Sequence, residues 1–399
     1  MKAVGIVVEY NPFHNGHAYH AKQAKTETNA DVVIAVMSGQ FLQRGEPALV
    51  DKWTRTKMAL QNGVDIVIEL PYVYSTAQAT DFAYGAISLL DAIGCETFAF
   101  GSEAGRIEPF LQTYEGIHAH QTLYNEQIRQ AIQNGLSYPT ALQQAYLAVK
   151  QAANIEMVDL SLPNNILGYH YIEAAKKYHL QIQPYTIKRL QAGYHDDIDY
   201  TLQIASATGI RKALKENLTI QQFMPTSAYE HLIEWQQQHR DFVSWHVFWP
   251  LLQYAILRHT PEQLTSYPDV KEGLEHALIK HAKTSDTFEQ FMTKLKSKRY
   301  TWTRLQRMLT HIYTGFTKEQ LHAFEKPSYI RLLGISAQGQ RFLSAKKKEM
   351  SLPLISRVAA SDDPMLALDL QATLMYQLGL SLFSTKKIDE DFKTPPIRL

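Results

Sequence analysis

Val7-Val8-Glu9-Tyr10-Asn11-Pro12-Phe13-His14-Asn15-Gly16-His17-Ala18-Tyr19-His20 is the stretch that decides how this chain folds. It begins at the end of an uninterrupted apolar run, residues 3–8, which stops at Glu9 and Asn11-Pro12. Short, β-branched, unbroken runs read as strands buried on both faces. A helical pattern follows over residues 16–28, and the alternation repeats. Residues 31–37, 64–70 and 97–100 read as further strands, with helices at 51–61 and 81–92 between them. Asp51 is placed as an N-cap, and Gly63 and Gly94 stand where those helices should stop. A later helix, residues 165–178, leads to another strand at 180–187. Strand, helix, strand at this spacing gives right-handed crossovers and a parallel α/β sheet.

The rest of the chain bounds the answer. A length of 399 residues, with 45% hydrophobic and 20% charged, suits two or three globular domains and excludes a disordered, collagen-like or coiled-coil protein. The net charge is +1, from 40 basic against 39 acidic residues. That excludes a uniformly positive coat but allows a local basic face. One cysteine, Cys95, forms no internal disulfide, so a reducing compartment is expected; its plain reading is a small core residue. The N-terminal run lacks the features of a secretory signal, and no stretch of about 18 apolar residues appears. The expectation is a soluble cytoplasmic protein with no membrane contact. Beyond about residue 200 the pattern turns to amphipathic helices, as at 229–239 and 287–295, with a last strand at 353–358 and a helix opened by Ser361-Asp362-Asp363-Pro364. We therefore expect an α/β catalytic domain over residues 1–215 and a mostly α-helical second domain over 216–399.

Between strand one and helix one lie Asn11-Pro12-Phe13-His14-Asn15-Gly16-His17. In an open α/β sheet, ligands bind in the crevice at the carboxyl ends of the strands. The helix beginning near Gly16 offers unpaired N–H groups and the positive end of its dipole to a phosphate. Gly16 lets backbone approach a ligand. His14 and His17, three apart, can face one phosphate and donate to charge that develops on it. Two plainer readings stand beside this. The histidines can be ordinary surface residues at a helix start, or His14, His17 and His20 can form a metal site, although no cysteine or acid nearby is spaced like a zinc set. P-loop and dinucleotide motifs are absent.

His-x-Gly-His after the first strand resembles the signature of the nucleotidyltransferase superfamily, whose Rossmann-like members bring a nucleophile onto the α-phosphorus of a nucleoside triphosphate. Ile204-Ala205-Ser206-Ala207-Thr208-Gly209-Ile210-Arg211 is similar to a triphosphate-binding segment of adenylyltransferases, with Ala205 and Ala207 departing from that pattern. GIVVEYNPFHNGHAYH, MSGQFLQRGEPA, FGSE, PNNILGYHY, RYTWTRLQRML and YIRLLG together resemble the bacterial tRNA(Met) cytidine acetate ligase family along the whole chain. The resemblance implies acetyl-adenylate formation from acetate and ATP, with Mg2+ accompanying the triphosphate. It then implies acetyl transfer to N4 of the wobble cytidine of elongator tRNA(Met). It also implies that Val7 to His20 hold ATP, with His14 and His17 catalytic on the phosphates, and that Gly101, Asn165, Lys188 and Arg189 complete the nucleotide site. On pattern alone, Gly101 is a strand-ending turn, Asn165 a helix N-cap and Lys188-Arg189 a solvated pair.

The loop Ser38 to Pro47 should overhang the site, for acetate or the cytidine. Lys294, Lys298, Arg299, Arg304 and Arg307 fall in one acid-free stretch with Lys296, Tyr300 and Trp302. Cations and aromatic faces are what readers of single-stranded RNA use. A solvated helix face is the plainer reading, and the resemblance favours RNA. Lys346-Lys347-Lys348, followed by Glu349, is a weaker candidate. Two other functions remain open from sequence: an adenylyltransferase for a small phosphorylated metabolite, and a non-enzymatic RNA-binding protein on a decayed nucleotide fold.

Overall fold

The computed structural model describes residues 1–136, 138–189, 198–384 and 390–399. Five strands, β1 (Ala3–Val8), β2 (Val32–Ser38), β3 (Ile66–Leu70), β4 (Thr97–Ser102) and β5 (Gln183–Lys188), lie parallel in the order β5-β4-β1-β2-β3. Every residue of β2 and β3 is buried, which is why their sequences are mostly apolar rather than alternating, Glu69 of β3 being the charged exception. Helices Asn15–Glu27, Lys52–Leu60 and Ala79–Ala92 return the chain between successive strands, and Pro163–Lys177 precedes β5. Asp51 does cap its helix, its carboxylate accepting from the Thr54 N–H at 2.6 Å.

In this order the chain leaves β1 toward β2 on one side and later passes to β4 on the other. That reversal opens a crevice at the carboxyl ends of β1 and β4, where open α/β sheets take ligands. The long excursion between β4 and β5 carries helices Glu108–Ala119, Gln121–Gln133 and Tyr138–Ala153, none of which the sequence reading anticipated. They form a satellite core around Ile117, Tyr146, Val149, Met157 and Tyr169.

Residues after 216 are mostly helical, as expected, but they also return to the sheet. The strand β6 (Ile330–Ile335) runs antiparallel on β3, and β7 (Leu354–Ile355) and β8 (Ile397–Arg398) run parallel to β6. Among the described residues the sheet thus has eight strands, and one hydrophobic core runs through both parts of the chain. The change of character near residue 215 is therefore not a gap in the packing. The sequence reading missed β6 because Arg331 interrupts its apolar run. That arginine is buried between Glu69 (2.8 Å) and Asp391 (3.2 Å), and Lys52 bonds to the same two acids (2.8 and 2.9 Å). Burial alone would raise the Asp391 carboxyl, but Lys52 and Arg331 beside it hold it below the ordinary carboxylate value. Cys95 is buried, as its plain reading expected. Among the described residues no helix is long and apolar enough to cross a membrane.

Candidate active site

The His14 side chain is itself the N-cap of the first helix. Its Nδ1 accepts from the Gly16 N–H at 3.1 Å, and the His17 Nδ1 accepts from the His14 N–H at 3.3 Å. This is a reciprocal capping box built from histidines instead of Ser and Glu. The two rings stack, with centroids 3.7 Å apart. A ring nitrogen that accepts from a backbone N–H carries no proton, so both protons sit on the ε nitrogens. The pair therefore presents two N–H donors whose tautomers are fixed by the backbone. Gly16 is required for this arrangement, since a Cβ there would meet the His14 ring at 2.9 Å. Tyr10 and Phe13 pack edge-on and tilted against His17 and hold its ring from behind.

Electrostatics keep the histidines neutral. Burial, with Arg189 and Arg211 nearby, pushes His14 down to about 3. Burial and Arg189 push His20 down to about 4, and His17 also lies well below its ordinary value through burial, His14, His20 and Arg189. The His20 Nε2 is buried without a partner among the described residues. Neutral donors surrounded by arginines form an anion cradle. The structure thus rejects the reading of these histidines as ordinary surface residues. Among the described residues no group of three or more His, Cys, Asp or Glu is placed to hold a metal ion.

Arg211 lies on the helix Ala207–Lys215, which Ser206 caps by accepting from the Gly209 N–H at 3.0 Å. Its guanidinium donates to the Asn11 carbonyl at 2.8 Å and lies 3.7 Å from Glu46. Asn15 ties the same region to the first helix, donating to the Gln203 and Gln222 carbonyls at 2.8 Å each. Arg211 and Arg189 both lie close enough to His14 to lower it, and the segment that carries Arg211 was the legible signal.

The remaining expected residues fall as follows. Val7 and Val8 end β1, with Val8 beside Met37 of β2, while Ala18 and Tyr19 lie in the first turns of the helix. Asn11 is buried, and its side chain accepts from the Leu49 N–H at 2.7 Å. Pro12 follows a cis peptide bond. Gly101 is no strand-ending turn: it pairs with Ile187 inside β4, and the Arg189 side chain passes over it to donate to Asn164 at 3.3 Å. Asn165 does not cap its helix. It is buried, donates to the Asp159 carbonyl at 3.1 Å, and leaves its Oδ1 without a partner among the described residues. Lys188 instead lays its stem against Gly105. The Glu9 carboxyl accepts from the Gln43 N–H at 2.7 Å; burial raises it, and that N–H, Arg44 and Arg211 oppose the shift.

Sequence reasoning missed Arg55. This fully buried arginine donates to the carbonyls of Glu9 (2.8 Å) and Ser38 (2.9 Å), and also to that of Gly39. It clamps the carboxyl ends of β1 and β2 together.

The basic stretch runs from the end of helix Phe288–Leu295, with Lys294, through the connection that carries Lys298 and Arg299, into the first turns of helix Trp302–Thr314, with Arg304 and Arg307. Lys294, Lys298 and Arg299 are exposed, and Arg304 and Arg307 are half-buried. The stretch is acid-free only in sequence: Arg299 pairs with Glu272 at 3.0 Å and Arg304 with Asp269 at 2.9 Å. Tyr300 is buried, donates to Glu272 at 3.0 Å, and lies under the Arg304 guanidinium, so its ring is no free stacking face. Trp302 is 39% exposed and is the aromatic left open there. Lys346 pairs with Glu349 at 2.7 Å, which suits a solvated turn.

Known proteins match this chain along its length. A family model described as HIGH Nucleotidyl Transferase matches residues 1–391. A tRNA(Met) cytidine acetate ligase of Lysinibacillus sphaericus is 59% identical over 402 residues, covering 100% of both chains. One of Halalkalibacterium halodurans is 46% identical over 408 residues, covering 100% of this chain and 98% of that one. The crystal structure of Thermotoga maritima TmcAL bound with alpha-thio ATP superimposes with a TM-score of 0.89 at 32% identity over 100% of both chains, and its apo form with 0.92. The chain belongs to the tRNA(Met) cytidine acetate ligase family of HIGH nucleotidyl transferases.

Proposed function

We propose that this protein condenses acetate with ATP to acetyl-adenylate and passes the acetyl group to N4 of the wobble cytidine of elongator tRNA(Met). The observation that carries the chemistry is the stacked His14–His17 pair, with its ε N–H donors fixed at a helix N-terminus near Arg189 and Arg211. Acetate is ionised at pH 7, so its attack on the α-phosphorus requires no general base. One carboxylate oxygen bonds to phosphorus, the bond to the β-phosphate oxygen breaks, and pyrophosphate leaves. His14 and His17 donate to the phosphate oxygens as charge shifts onto them, and the two arginines offset the charge of the leaving pyrophosphate. The cytidine N4 then attacks the acetyl carbon, AMP leaves, and N4 loses a proton. Gly101 and the Asn165 Oδ1, which has no partner among the described residues, are our choice for the nucleoside. Among the described residues no group of three or more His, Cys, Asp or Glu is placed for Mg2+, which in this reading arrives on the triphosphate oxygens.

The tRNA contacts assigned here are Lys294, Lys298, Arg299, Arg304 and Arg307, and work on tRNA puts the protein in the cytoplasm. The relatives named for tRNA match along the whole chain, which leaves the small-metabolite reading without support. The test is ATP–pyrophosphate exchange with acetate, with no acid, and with acetate plus tRNA, followed by mass spectrometry of the tRNA nucleosides. Exchange should require acetate, and N4-acetylcytidine should appear only with tRNA. Acetate-independent exchange, or unmodified cytidine, would overturn the assignment.

A further inference from the structure

The loop after β2 joins two regions that the chemistry must bring together. Its tip is a tight turn in which the Leu42 N–H donates to the Glu46 carbonyl and the Gly45 N–H to the Leu42 carbonyl, both at 2.9 Å. One side of the turn grips the active site. The Gln43 N–H holds Glu9 at 2.7 Å, Glu46 lies 3.7 Å from Arg211, and the Leu49 N–H holds Asn11 at 2.7 Å. The other side is seated on the helix Trp302–Thr314, which carries Arg304 and Arg307. The Gly45 carbonyl accepts from the Trp245 indole N–H at 2.7 Å and from the Thr310 hydroxyl at 2.9 Å. Gly45 has φ +76, and a Cβ there would stand 2.3 Å from the Arg307 backbone nitrogen. A glycine is needed at this seat for both reasons.

We propose that the turn Leu42–Pro47 is a rigid bridge that registers the RNA-bearing helix against the acetyl-adenylate pocket, with Gly45, Trp245 and Thr310 as positioning residues. The proposal rests on the function given above. The bridge meets the arginine side of the cradle through Glu46, 3.7 Å from Arg211, while Gly45, Trp245 and Thr310 are not among the residues assigned to ATP or tRNA. What it sets is where a cytidine held by the Trp302–Thr314 helix falls relative to the acetyl carbon beyond Glu9 and Arg211. Displacements of about 1 Å in such a register lower a transfer rate by up to about 100-fold. Acetyl-adenylate that misses the cytidine reacts with water to give acetate and AMP.

The readout is the number of AMP molecules formed per N4-acetylcytidine, which a loss of folded enzyme alone does not move. Thr310→Val and Trp245→Phe each remove one hydrogen bond to the Gly45 carbonyl while keeping an apolar side chain of similar shape. Each is expected to keep acetate-dependent ATP–pyrophosphate exchange within about twofold while raising the AMP ratio at least about threefold, and Gly45→Ala should raise it further. Thr310→Ser, which keeps the hydroxyl, should restore the ratio. An unchanged ratio in Thr310→Val and Trp245→Phe, with wild-type enzyme tightly coupled, overturns the bridge and leaves the function standing. A wild type without acetate-dependent exchange or acetylcytidine overturns the function itself.

Discussion

His14 does two jobs with one ring, and they can be separated. Its Nδ1 caps the helix and its Nε2–H is left for phosphate. Asparagine caps helices well but offers no donor at the ε position. His14→Asn is therefore expected to fold and to lose at least about 100-fold in ATP–pyrophosphate exchange. The same variant carries a pH signature. The folded-state value of about 3 lies below the ordinary 6.5, so between those pH values the unfolded chain holds a proton that the folded chain lacks. That term leaves stability intact above about 6.5 and erodes it as pH falls toward about 3. Thermal unfolding at pH 7.5 and pH 5 should show a smaller acid loss in His14→Asn than in wild type. Equal loss would mean that His14 is protonated in the folded protein.

At the scale of the element, the basic helix end is a weaker electrostatic device than its sequence suggests. Arg299 and Arg304 already have carboxylate partners, contributed by residues 269–272 from elsewhere in the chain. The exposed Arg299–Glu272 pair contributes little, so Arg299 can exchange its partner for phosphate at small cost, whereas the half-buried Arg304–Asp269 pair is held more firmly. The double variant Arg299→Ala, Arg304→Ala should weaken tRNA binding and reduce the slope of log affinity against log salt by about 1 to 2. An unchanged slope would reassign the stretch to a solvated face. This element also shows what a sequence yields and what it withholds. The first helix and its histidines were legible because cap, glycine and ligand groups are neighbours in the chain. The pairing of Arg304, the burial of Tyr300 and the Arg55 clamp were not, since each depends on a partner brought in by tertiary folding. The parallel strands were readable as apolar runs, whereas β6 was hidden by a charge that is neutralised only in the folded core.

For the whole molecule, the question is whether the first 215 residues are a unit that folds alone. Their sequence pattern suggests so, and the packing argues otherwise. Without residues 216–399, β3 becomes an edge strand, because β6 is its outer neighbour. Lys52 and Glu69 lose Arg331 and Asp391, and removing partners from a buried charge cluster costs about 3–5 kcal/mol. Gly334 lies so close to Thr56 and Leu60 that a Cβ would meet them at 2.5 and 2.7 Å, so the helix Lys52–Leu60 also loses its cover. Domains hold only about 5–15 kcal/mol in all, so these losses together are decisive. A fragment of residues 1–215 is expected to lack a cooperative thermal transition by circular dichroism and to show no acetate-dependent exchange, although it contains every residue assigned to ATP. Cooperative melting with exchange intact would show that β6 to β8 merely cover a self-sufficient nucleotide fold.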